Sequence, residues 1–153
     1  MLRNVIYSTP QKKTAFYSGK KRRHTLKAQI VTSEGKILCT NFAPGSVHDF
    51  KLFKLSRLPF RKDTLVVADT GYLGIELINK KNLIPKKSSK LRRLTLKDKY
   101  YNRIISKLRI GVEHLIKKIK CFRIFSERYR CRHKTFKKRF NLICAVINLD
   151  LPT

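Results

Sequence analysis

Apolar and polar positions alternate with period two in the first third of the chain and with the period of a helix in the last third. Over residues 24–32, Leu26, Ala28 and Ile30 face one way and Thr25, Lys27 and Gln29 the other, the pattern of a half-buried strand. Ser33-Glu34-Gly35-Lys36 reads as a turn and residues 37–42 as a returning strand, which predicts a hairpin. A shorter strand is expected over residues 5–7. Pro44-Gly45-Ser46 breaks the second arm, and Ser46 with Asp49 has the spacing of a helix start; that helix should reach Arg57 before Pro59 stops it. Residues 64–68 are almost wholly apolar and end at Asp69, which predicts a central strand buried on both faces. A short helix over residues 73–80, a brief strand near Leu83 and a basic loop over residues 86–93 come next.

The longest periodic signal starts at Thr95 and Asp98, an N-cap pair, and continues through Tyr101, Ile104, Ile105, Leu108, Val112, Leu115, Ile116 and Ile119. A last helix is expected over residues 135–149, with Phe136, Phe140, Ile143, Val146 and Ile147 on one face. Hairpin, helix, strand, helix, strand and long helix in that order predict a mixed α/β domain.

Charge changes the picture more than length does. The 153 residues suffice for one domain with a real core. They carry 37 Lys and Arg against 9 Asp and Glu, a formal charge of +28, and the bases are spread from Lys12 to Arg139. Self-repulsion on that scale opposes a compact fold unless an anion offsets it, so a polyanion is the natural partner, nucleic acid first. An acidic membrane surface fits less well, because no basic amphipathic helix stands apart from the folded pattern. No apolar run approaches the roughly 20 residues of a membrane span, and the N-terminus lacks the apolar run of a secretory signal. A cytoplasmic location is therefore expected. The four cysteines form no C-x-x-C pair, and their spacing with His114 and His133 is unlike a zinc site, so they read as buried or incidental thiols.

Among so few acids, most have local explanations. Glu34, Asp63 and Asp98 fall in turns or at a helix start, Asp150 is near the C-terminus, and Glu76 and Glu127 read as solvated charges. Asp69 ends the most apolar strand, where open α/β sheets collect their ligands, although a turn or helix-cap role fits that position equally well. Glu113 falls roughly 120° from the centre of the apolar stripe, beyond the core boundary. By itself it reads as a solvated glutamate pairing with Arg109 or Lys117. Asp49 reads most economically as a helix cap.

Taken together, five segments resemble the insertion-sequence transposases of the DDE superfamily. Tyr17-Ser18-Gly19-Lys20-Lys21 with His24-Thr25-Leu26-Lys27 is similar to one of their blocks, and Pro44-Gly45-Ser46-Val47-His48-Asp49 to the next. Ala68-Asp69-Thr70-Gly71-Tyr72 resembles the block that carries their second catalytic carboxylate. Asn102, Arg109, Val112 and Glu113 fit the helix that carries the third, and residues 120–130 resemble the segment just after that helix. The likeness covers residues 16–149.

The resemblance implies a ribonuclease H-like mixed sheet flanked by helices, with Mg²⁺ (or Mn²⁺) as cofactor and DNA as partner. Asp69 and Glu113 would be the catalytic, metal-binding residues. Lys20, Lys21, Arg22, Arg23, Lys86, Lys87, Lys90, Arg92, Arg93, Arg109 and Lys120 would hold nucleic-acid phosphates. It also implies association with the nucleoid and is compatible with a homo-oligomer. Such transposases carry a first catalytic aspartate on the opening strand, whereas no acid here precedes Glu34. The expectation is therefore a catalytic domain over residues 16–151, its first strand incomplete, behind a remnant segment at residues 1–15. The chain then reads as a piece of a transposase, inactive alone. The alternative from another class is a basic nucleic-acid-binding protein without chemistry, which explains the charge but not an apolar strand ending in Asp69.

Overall fold

The computed structural model describes residues 2–6, 16–19, 22–61, 63–127, 129 and 133–150. The chain divides into two compact units, Met1–His48 with Val112–Thr153, and Asp49–Gly111.

The first unit is built on a four-stranded sheet around β3 (Arg23–Ser33). The strands β1 (Leu2–Ile6) and β2 (Tyr17–Ser18) pair antiparallel with β3, from Leu2 opposite Gln29 to Ile6 opposite Thr25, and then Tyr17 opposite His24. On its other side β4 (Lys36–Pro44) pairs antiparallel along residues 26–33, with a register shift between Val31 and Thr32. The hairpin turn has Glu34 and Gly35 at positive φ, which matches the twist of the two arms. The apolar face of β3 packs as its alternation predicts, but the strand is not half-buried: Thr25 and Gln29 on the other face are buried as well. Leu26, Ala28 and Ile30 join a core with Leu115, Ile116 and Ile119, with Phe125 of α3 (Arg123–Ser126), and with Phe136, Phe140, Cys144 and Ile147 of α4 (His133–Leu149).

That core is aromatic at its centre. Phe136 meets Phe42, Phe125 and Tyr129 edge-on at 5.6, 5.6 and 5.0 Å, an arrangement the ring quadrupoles favour. The side chain of Asn148 on α4 accepts from Ile37 N at 2.9 Å and donates to Ile37 O at 2.8 Å. Burial lifts the Cys144 thiol to about 11, as suits an inert core cysteine, while Cys121 is exposed and Cys131 lies outside the described residues.

The second unit holds α1 (Asp49–Leu55), the parallel pair β5 (Val66–Val67) and β6 (Asn82–Leu83), and the first part of α2 (Leu96–Cys121). Antiparallel and parallel pairing with helices makes the class mixed α/β, as expected. At the start of α2, Thr95 and Asp98 form the predicted reciprocal cap: the Thr95 hydroxyl accepts from Asp98 N at 3.2 Å, and Asp98 Oδ2 accepts from Thr95 N at 3.1 Å.

Several expectations need correction. The strand ending at Asp69 is two residues long and half-buried, with Leu65 exposed, because among the described residues β6 is its only paired neighbour. The helix expected over residues 73–80 is two 3₁₀ turns, Thr70–Tyr72 and Ile75–Leu77. Gly74 between them has φ +100, a left-handed conformation that a helix cannot pass through. The first helix starts at Asp49 and ends at Leu55, short of the expected Arg57, and Val47 N donates to Pro44 O in the turn before it. Ile104, Leu108 and Val146 are exposed despite their helical spacing. Of the strand expected over residues 5–7, Tyr7 lies outside the described residues.

Candidate active site

Asp69 leaves β5 in extended conformation (φ −84, ψ 165) and caps the adjoining 3₁₀ turn; its Oδ1 accepts from Thr70 N at 2.7 Å. The turn closes as Tyr72 N donates to Asp69 O at 2.9 Å. Tyr72 is buried with its ring edge-on to Phe53 at 5.9 Å, and Phe53 stacks on Phe60 at 5.6 Å. Asp-Thr-Gly-Tyr thus works as a unit: the tyrosine anchors the turn in apolar surroundings, and the aspartate is held at its mouth by a backbone donor. Gly71 has its own reason to lack a side chain. A Cβ there would stand 2.8 Å from Asp49 Oδ2, so a second carboxylate lies against the same turn.

The cap and site readings of Asp69 are therefore compatible, because the cap occupies only Oδ1. The same oxygen faces Arg109 Nη1 at 3.4 Å. The arginine side chain is 14% exposed and the aspartate 38%, so the guanidinium is held from within and the carboxylate opens to solvent. Arg109 was expected among the surface phosphate contacts; in the fold it is largely buried beside an acid.

The basic loop is anchored at its base and closed at its tip. Asn102 donates to Lys86 O at 3.0 Å and accepts from Lys86 N at 2.8 Å, mimicking a strand partner. Lys86 Nζ donates to buried Asp98 at 2.6 Å, and with the Thr95 bonds this pulls the Asp98 carboxyl down to about 2. At the tip, Ser89 N donates to Arg92 O and Arg92 N to Ser89 Oγ, both at 3.0 Å. Lys87, Lys90, Arg92 and Arg93 are exposed on this fixed frame.

Of the other expected residues, Glu113 and Lys120 are half-buried on α2, in the part of the helix that belongs to the first unit. Arg22 is exposed at φ 49 and Arg23 opens β3, while Lys20 and Lys21 lie outside the described residues. Among the described residues no group of three or more His, Cys, Asp or Glu could hold a metal. Mg²⁺ needs less than that: it takes oxygen ligands, keeps several waters and is held by one or two carboxylates plus substrate phosphates. A half-exposed Asp69, with the Asp49 carboxylate against the same turn, is a donor set of that kind.

Comparison with known proteins decides the family. The DDE superfamily endonucleases match residues 4–148. The chain belongs to this family. It is 43% identical over 138 residues, 89% of its length, to a protein of Microchaete diplosiphon described as the probable transposase for insertion sequence element IS702. The chain spans 50% of that relative's length. No solved structure matches it. Among the described residues, no helix is long and apolar enough to cross a membrane. Sequence reasoning missed the contact between Asp69 and Arg109 and the clamp of Asn102 on Lys86, because neither pair shares an element and nothing in either segment's period marks its partner.

Proposed function

We propose that the chain is the catalytic core of an insertion-sequence transposase, with a ribonuclease H-like arrangement, and that alone it binds DNA but cleaves it little. The observation that carries this reading is Asp69, held by a backbone donor at the end of β5 and half-open to solvent, in a chain that matches the family from residue 4 to 148. The strand order supports the fold: three antiparallel strands, β4, β3 and β1, precede a parallel pair. Asp69 and Glu113 would hold Mg²⁺ or Mn²⁺, which when bound supplies Lewis-acid stabilisation of a scissile phosphate and its attacking oxygen. The loop cations would hold the DNA backbone in register, which fixes position without reading sequence. The loop is pre-ordered by Asn102 and Ser89, so little ordering cost accompanies its binding.

Low activity is expected from the acid inventory. The chain has 9 Asp and Glu against 37 Lys and Arg, and so many bases oppose a second cation. Asp49 lies close enough to the Asp69 turn to be the candidate substitute. The test is nicking of supercoiled plasmid in Mg²⁺ or Mn²⁺ by the chain and its Asp69→Ala and Glu113→Ala variants, beside duplex binding by anisotropy. The expected result is tight duplex binding with little nicking. Robust nicking abolished in both variants would overturn the inactivity, and absent duplex binding would overturn the transposase-core reading itself.

A further inference from the structure

The outward side of the first half of α2 carries large apolar side chains that stand open to solvent. Leu96, Tyr100, Ile104 and Leu108 recur at every fourth position and are 83%, 69%, 42% and 53% exposed, whereas Ile105 on the inward side is fully buried. Side chains at that spacing form a continuous ridge, and such ridges are what one helix fits into the groove of another. Scattered exposed apolar residues need no explanation, but four in one ridge, about 18 Å long at 1.5 Å per residue, mark a contact surface. Gly111 lies on the same side, three positions past Leu108. A Cβ there would meet nothing within 4 Å among the described residues, so no close approach inside the chain calls for glycine. Glycine nevertheless weakens a helix interior, and a second helix laid along the ridge would supply the missing close approach.

Charge selects the occupant. Lys97, Arg103 and Lys107 flank the ridge and are exposed, and no Asp or Glu lies between Asp98, which is buried, and Glu113. A second copy of the chain would bring the same cations face to face. A nucleic-acid strand answers the cations but not the ridge, because bases stack on aromatic rings and find no such platform on Leu96, Ile104 or Leu108. The ridge also winds about 120° around the helix axis over its length, so it does not lie in one plane as contact with a lipid surface requires. A helix with carboxylates beside its own apolar stripe answers both features: the stripe buries the ridge, and the acids meet the three bases. We propose that residues 96–108 of α2, with Gly111 as the point of closest approach, dock an acidic amphipathic helix of a partner protein. This docking uses neither Asp69 nor the loop cations, so it stands apart from the function proposed above.

The experiment uses the full chain and a labelled synthetic peptide of about 20 residues, long enough to be helical, with leucines on one face and glutamates and alanines elsewhere. Binding is followed by anisotropy at physiological salt. A scrambled peptide of the same composition keeps the charge without the apolar face, and a third peptide keeps the face with lysine in place of glutamate. The expected result is that the amphipathic acidic peptide binds at least about tenfold more tightly than the scrambled one, and that the lysine peptide does not bind. Ile104→Gln with Leu108→Gln removes two aliphatic anchors and should weaken the acidic peptide by about tenfold or more. Gly111→Leu fills the close approach and should weaken it as well, while melting no lower than the unmodified chain because its Cβ has open space.

Equal binding of the amphipathic and scrambled peptides would reduce the contact to bulk charge and overturn the proposal. So would a Gly111→Leu chain that binds the acidic peptide as tightly as the unmodified one. Three measurements on the double glutamine variant identify the wrong occupant. A dimer of the unmodified chain in sedimentation velocity that the variant abolishes assigns the ridge to a second copy. A variant with weakened duplex affinity assigns it to DNA, and one that no longer sediments with anionic phospholipid vesicles assigns it to a membrane surface; each of these results refutes docking of an acidic helix.

Discussion

Removing the four outward cations of the clamped loop should change how DNA binding responds to salt, and by an amount the structure fixes. Lys87, Lys90, Arg92 and Arg93 are exposed on a frame held by Asn102 below and by Ser89 and Arg92 at the tip. Each phosphate neutralised releases counterions and adds about −0.9 to the slope of log affinity against log salt, so four contacts contribute about −3.6. Between 50 and 200 mM salt, a slope of about −3.6 corresponds to an affinity loss of about 150-fold from this loop alone. The quadruple alanine variant should therefore show a slope shallower by about 3.6, measured by anisotropy on a labelled duplex over that range. Lys86→Ala is the internal control. Its ammonium is committed to buried Asp98 and lies 5.6 Å from the centre of the Tyr101 ring, so its loss should lower thermal stability and move the slope by less than about one unit. A quadruple variant with an unchanged slope, or a Lys86→Ala variant that alone accounts for the change, would refute the assignment of these side chains to phosphate.

Three further outcomes test the fold. Phe136→Ala empties the centre of the aromatic cluster and should cost about 3–5 kcal/mol in urea unfolding; a loss below about 1 kcal/mol would contradict the packing described. A Cβ at Gly45 would fall 1.9 Å from Thr25 Oγ1 and 2.8 Å from Thr25 O, so Gly45→Ala should destabilise by about 3 kcal/mol or more. Adding Thr25→Ala should recover only part of this, because the carbonyl contact remains. The Asp98 carboxyl is held down to about 2 by its bonds from Lys86 and Thr95, so its contribution is complete above the ordinary value of 3.8 and is lost as pH falls towards 2. The drop in melting temperature over that window should be smaller in Asp98→Asn, and an equal drop would show that other acids carry it.

What could be read from the sequence was what is decided within one element. Thr95 and Asp98 are three residues apart, so the cap of α2 is visible before any tertiary contact exists. The alternation of Leu26, Ala28 and Ile30 against Thr25 and Gln29 likewise identifies β3, although the polar members of that face turn out buried too. The strand before Asp69 misled because apolarity reports how a segment could be buried, not how many neighbours it finds; Leu65 is exposed and β5 is two residues long. Ile104 and Leu108 misled for the same reason, since period marks a face without saying what covers it. Near the candidate site, the place of Asp69 just after a strand was legible. Its contact with Arg109 was not, because the two lie 40 positions apart and an arginine on a basic helix looks like any other.

The paired bonds of Asn148 to Ile37 have a consequence for solubility. Among the described residues β4 pairs with β3 alone, and such an edge is a template on which a second chain can add a strand. The Asn148 amide occupies both backbone groups of Ile37, so α4 covers that part of the template with a side-chain amide, and the Thr40 hydroxyl ties the same strand to Asn141. While the chain carries its full positive charge, mutual repulsion keeps copies apart whatever their edges offer. A bound polyanion removes that repulsion and crowds several copies along one strand of phosphates. It is then that the amide cover matters: with both its backbone groups bonded to Asn148, Ile37 offers no template to a neighbouring copy.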